Sequence, residues 1–205
     1  RNMKRVIALL MAVGLSATAL AQQDGTLVFD HYTASGVSGQ VLLPDGSPAM
    51  GTGYSGQLYA GAVGGALSPV LIGGNDAPAY PFYGAARAGY LNTSFVAVQV
   101  SGVQPGTLAD VQLRVWDNNG GALTDWTAAE AGATVWGLSD IVPTTAGLGG
   151  PDPAGGPAFT APSLPGIPSF TMVPEPGTWA LLGIGALALA FRRRLDAFDE
   201  IVKGL

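Results

Sequence analysis

The sequence predicts an all-β fold, an antiparallel β-sandwich of about eight short strands, and three observations carry that prediction. Residues 93–100 and 108–116 alternate with period two: Val96, Val98 and Val100 share one face, as do Val111, Leu113 and Val115. Such alternation marks half-buried strands of an antiparallel sheet. Glycine and proline number 31 and 15 of 205 residues and fall between short apolar runs, where they punctuate turns. Cysteine is absent, so no disulfide framework stands in for a packed core.

The elements follow in order. Residues 26–32 (Thr-Leu-Val-Phe-Asp-His-Tyr) are predicted as the first strand. Residues 39–43 follow, closed by the turn Pro44-Asp45-Gly46. Residues 54–60 form a third strand and 67–72 a short fourth, ended by Gly73-Gly74-Asn75-Asp76. A loop rich in proline and tyrosine spans 77–89. The strands at 93–100 and 108–116 are joined by Gln104-Pro105-Gly106-Thr107, a type II turn signal with proline second and glycine third. They are therefore predicted to pair as a hairpin. Thr127 and Glu130 have capping-box spacing for a helical turn within 124–131, with Gly132 as its stop. Residues 135–142 fit strand and loop alike. Residues 148–168 are Pro/Gly-rich and read as loop, and 169–173 as a last strand.

The two ends have a different character. Lys4 and Arg5 precede an apolar stretch at 6–15, and Ala19-Leu20-Ala21 is a small-x-small cleavage site. This is a secretory signal peptide, with Met3 as the expected start and cleavage expected after Ala21. It implies export through the Sec translocon and removal by signal peptidase. At the other end Val173-Pro174-Glu175-Pro176-Gly177 precedes an apolar run at 178–191 and then Arg192, Arg193 and Arg194. The run is about 21 Å long as a helix, short against the about 20 residues of a usual span. Snorkelling arginines and local thinning accommodate the difference. A single transmembrane helix is therefore expected, with the three arginines as a cytoplasmic membrane stop. Two prolines keep the Pro174-Glu175-Pro176 segment extended and accessible just outside the membrane.

Together these ends resemble a PEP-CTERM protein, a substrate of exosortase. The resemblance implies that Pro174, Glu175 and Pro176 are recognised by exosortase, a membrane-embedded cysteine transpeptidase that cuts near them. It implies transient anchoring in the inner membrane of a Gram-negative-type bacterium, then delivery to the cell surface or outside the cell. It further implies a link to biofilm or exopolysaccharide. The strands containing Gly25-Thr26-Leu27-Val28-Phe29, Gln57-Leu58-Tyr59-Ala60-Gly61 and Val111-Gln112-Leu113-Arg114-Val115-Trp116-Asp117 are similar to those of one group of such proteins. The chain then divides into a signal peptide (1–21), the sandwich (22–147), a Pro/Gly-rich segment with a possible last strand (148–172), the sorting signal (173–195) and a cytoplasmic extension (196–205). That extension departs from the family pattern. With Leu195 it forms an amphipathic stretch, Leu195, Phe198, Ile201, Val202 and Leu205 recurring at near-helical spacing.

Charge narrows the function. Residues 22–176 hold two arginines, Arg87 and Arg114, against eleven acids, a net charge of −9. Such a surface does not grip nucleic acid or anionic lipid. His31 is the one histidine, so neither an ordinary zinc site nor a well-supported Ser-His-Asp triad is expected; a strand-end histidine facing solvent is. Asp117-Asn118-Asn119 offers oxygens but lacks the rest of a calcium loop, and Asx-rich turns arise for backbone reasons alone. No enzyme activity, cofactor or metal is expected. Tyr80, Tyr83 and Tyr90, with Phe82 and Arg87, lie in one loop, where they either stack on sugar rings or plug one end of the sandwich. Trp116, Trp126 and Trp136 are expected in packing.

Overall fold

The computed structural model describes residues 23–32, 39–93 and 95–174. The signal peptide, with Ala19 and Ala21, lies outside them. So do Glu175, Pro176, the expected transmembrane helix and Arg192 to Arg194. Among the described residues no helix is long and apolar enough to cross a membrane.

Thirteen short strands and one α-helix are present in the described residues, more strands than the sequence suggests because several consist of two residues. They form two antiparallel sheets and one parallel pair. The smaller sheet runs β1 (Gly25–Phe29), β8 (Val96–Val100), β5 (Leu71–Ile72), β6 (Asn75–Asp76). The larger runs β13 (Val173–Pro174), β10 (Val135–Leu138), β9 (Ala109–Asp117), β3 (Tyr54–Ala62), β4 (Ser68–Pro69). Beside that path β11 (Val142–Pro143) pairs with β9 and β7 (Tyr80–Pro81) with β3. The parallel pair is β2 (Val41–Leu42) with β12 (Phe170–Thr171).

The spine is the pairing of β3 with β9, in register from Tyr54 opposite Asp117 to Ala62 opposite Ala109. Its inner face supplies Leu58, Ala60, Val111, Leu113 and Val115. Leu27 and Phe29 of β1 and Val98 and Val100 of β8 complete the same core from the other sheet. Each of the buried Leu, Val and Phe side chains contributes about 1.5–3 kcal/mol. Gly56 of β3 is glycine because a Cβ there would stand 2.8 Å from Leu91 and 3.0 Å from Val115.

The hairpin expected between residues 93–100 and 108–116 does not exist. The turn itself forms: Thr107 N–H donates to the Gln104 carbonyl at 3.3 Å, and Gly106 takes φ +81. Yet β8 pairs with β1 and β5, and β9 with β3, β10 and β11. The turn carries the chain from one sheet to the other. The two valine stripes therefore meet across the core instead of lying side by side, and period-two alternation is blind to that difference.

The Pro/Gly-rich segment 148–168 has no named strand but lies along the free edge of β1. Thr26 and Gly149 exchange N–H···O bonds at 2.9 and 2.8 Å, and Val28 N–H reaches the Pro162 carbonyl at 2.8 Å. Leu148, Leu164 and Ile167 enter the core from this segment. Proline suits such a position, since it covers an edge without offering a new one.

The helix α1 (Trp126–Gly132) is capped two residues before the Thr127 of the box predicted for it. Asp125 is the cap, its carboxylate accepting the Ala128 N–H at 2.9 Å.

Candidate functional site

Three regions hold the side chains singled out above. The first is the C-terminal edge of the larger sheet. Met172 is fully buried, and its N–H donates to the Leu42 carbonyl at 2.8 Å. Val173 then lies opposite Trp136, and Pro174 opposite Val135. Two-residue extended segments bounded by proline make natural edge strands. The last strand expected at 169–173 appears as two short strands, β12 and β13, and Val173 and Pro174, the start of the Val-Pro-Glu-Pro segment, are extended and exposed at the sheet edge. Glu175 and Pro176 lie outside the described residues.

The second region lies around the 80–91 loop. Tyr80 does not join the other tyrosines. It packs edge-on against Phe29 at 5.6 Å between ring centroids, and burial raises its hydroxyl pKa. Tyr83 and Tyr90 instead gather around Tyr32, at 6.2 and 5.2 Å. The Arg87 guanidinium sits over Tyr32 at 4.3 Å and near Tyr83 at 5.2 Å. An open hollow of about 360 Å³ is lined by Tyr83, Arg87 and the three residues between them. The loop is held by its own backbone: Tyr83 N–H to the Tyr90 carbonyl at 2.9 Å, and Arg87 N–H to Gly84 at 3.0 Å. Gly89 at φ +87 lets it close against Gln40, whose Cβ a side chain there would meet at 2.7 Å. Tyr32 was missed in the sequence because β1 brings it to the loop from far along the chain.

Beneath this cluster lies His31, and here the expectation of a solvent-facing side chain fails. His31 continues the inward row of Leu27 and Phe29 and is 0 % exposed. Its Nδ1 accepts the Leu91 N–H at 3.0 Å, and among the described residues Nε2 meets no partner at hydrogen-bond distance. Burial lowers its pKa to about 4, against a weaker opposing pull from the Gly39 backbone. The ring is therefore neutral at pH 7 and fixed in one tautomer.

The third region is the outer face of β3 and β9. Arg114 lies over the Tyr59 ring at 3.8 Å, a diagonal cross-strand pair. It also approaches Trp126 at 5.4 Å, while its Nε donates to Gln112 at 3.1 Å. Trp126 makes edge contacts with Trp116 at 6.1 Å and Trp136 at 5.8 Å. Trp116 Nε1 donates to the Leu123 carbonyl at 3.0 Å. The helix seals the cluster, as expected for packing tryptophans. Beside it a hollow of about 310 Å³ is lined in part by Gln57, Tyr59, Asp76 and Asp125.

The Asp117-Asn118-Asn119 turn turns its oxygens on protein donors. Asp117 accepts from Asn119 N–H at 2.9 Å and Thr134 Oγ1 at 2.8 Å. Asn118 accepts from Gly121 N–H and donates to Thr52 and Ser55. Among the described residues no group of three or more His, Cys, Asp or Glu side chains is placed to hold a metal.

No curated protein and no solved structure matched the chain. The family comparison did find a match, and it falls on the first region. The chain carries a PEP-CTERM protein-sorting motif, matched across residues 173–194.

Proposed function

We propose that this is an exported, non-enzymatic protein of the cell surface or extracellular matrix, a β-sandwich delivered by exosortase and associated with exopolysaccharide. The observation that carries the reading is the sorting motif at 173–194, whose first two residues form the last described strand. A PEP-CTERM motif marks a protein that is exported, held briefly in the membrane and processed by exosortase. The non-enzymatic part is supported by His31, whose Nδ1 is occupied by a backbone donor in a sealed site; a general base must reach its substrate. Replacing Glu175 with Ala should leave the protein in the inner membrane, as followed by fractionation. Unchanged release would refute recognition through Pro174, Glu175 and Pro176.

A second reading is favoured by the Tyr32, Tyr83 and Arg87 group. One of two cations in the acidic exported region stands among half-exposed aromatic rings at an open hollow. Aromatic faces stack on sugar rings, and a guanidinium pairs with the carboxylate of an acidic sugar. In this reading the domain is a carbohydrate-binding or adhesive module. Glycan-array binding that is lost on Tyr83→Ala supports it, and an array without binding removes it.

A further inference from the structure

We propose that the folded domain withholds its own sorting signal, so that β13 must leave β10 before exosortase takes the Pro-Glu-Pro segment. The proposal rests on the reading that exosortase recognises Pro174, Glu175 and Pro176, and adds a control to it. The motif starts at Val173, yet Val173 and Pro174 are already an edge strand against Trp136 and Val135. Behind them the chain has no slack. Met172 is fully buried and bonded to Leu42, and Phe170 pairs with Val41 in β2. Gly137 of β10 lies so close that a Cβ there would meet Met172 Cα and the Phe170 ring, each at 3.2 Å. Residues 170–174 are thus held first by β2 and then by β10.

A site that encloses a peptide buries most of its surface. A strand with one edge on β10 and a buried residue behind it does not fit into such a site. Three residues, 175–177, separate Pro174 from the apolar run that begins at Thr178, and releasing residues 170–174 would add about 17 Å of extended chain to that stretch. The contact is built to yield, because β13 is two residues long, Pro174 has no N–H to give, and Val173 is 46 % exposed.

The absence of cysteine makes the test clean. Trp136→Cys with Val173→Cys joins directly opposed residues, at a separation near that of a disulfide. Processing of the full chain is followed by pulse-chase in membranes that contain exosortase. The linked form should be processed at least about tenfold more slowly than the same form after reduction, since opening of the strand is then forbidden. Trp136 also packs on Trp126, so a second variant leaves it in place. Insertion of Gly-Ser-Gly-Ser between Met172 and Val173 frees an unaltered motif and should speed processing several-fold. Equal rates for linked and reduced forms, or for inserted and native chains, overturn the proposal. A parallel Glu175→Ala chain separates the two readings. If it is processed normally, recognition through the motif fails; if it is blocked while the linked form is not slowed, only the withholding fails.

Discussion

The two arginines between residues 22 and 176 keep the same company in opposite surroundings. Arg114 stacks on Tyr59 and nears Trp126, under a helix that turns Trp126 and Ala129 inward. Arg87 stacks on Tyr32 and nears Tyr83, exposed at an open hollow lined, among the described residues, by 83–87. One group is a packed layer on the back of a sheet, where a guanidinium covers aromatic surface and its pKa is lowered by burial. The other is the same chemistry left facing solvent. The difference teaches that aromatic and cationic residues do not by themselves mark a site; what covers them decides.

The sharpest way to break this comparison is to remove the centre of the covered cluster. Trp126→Ala should cost about 3–5 kcal/mol in urea unfolding, as for large aromatic truncations in cores. A loss under about 1 kcal/mol would mean the cluster is surface decoration. Acidification tests the support under the open cluster. His31 has a folded pKa of about 4 against an ordinary 6.5, so the unfolded chain takes up its proton first. The contribution is fully present above pH 6.5 and is lost as pH falls from 6.5 to 4. The loss amounts to about 3 kcal/mol, read as a falling melting temperature that a His31→Leu chain does not share over that interval. Equal slopes for the two chains would contradict the sealed ring.

Smaller effects refine the contrast. Asp125→Ala removes the cap of the covering helix and should cost about 1 kcal/mol in the same unfolding assay. Arg87→Ala should change stability by no more than about 0.5 kcal/mol. It should nevertheless abolish any binding to acidic glycans, whereas retained binding would move the contact elsewhere.

Much of this fold was legible in the chain. The valine stripes at 96–100 and 111–115 mark β8 and β9, and Pro105-Gly106 marks the turn between them. What pairs with what was not legible. A type II turn serves a hairpin or a crossover between sheets equally well, and the partner of β8 is β1, far away in sequence. Tyr32 joins Tyr83 and Tyr90 by that same long-range arrangement, while Tyr80, nearer in sequence, turns to Phe29. His31 extends the inward row of β1 past the strand's end, which polarity alone argues against. The sorting motif was legible because its information is linear: two prolines, an acid, an apolar run and three arginines in a fixed order.

Delivery rests on the sorting motif, which begins in β13 at Val173, opposite Trp136 of the covered cluster. Mass spectrometry of the mature protein's C-terminus tests that claim most directly. Processing at the motif predicts a terminus near Pro174, Glu175 and Pro176, with the apolar run beginning at Thr178 gone. A mature chain ending beyond Phe191 would contradict it, because the anchor would then never be removed.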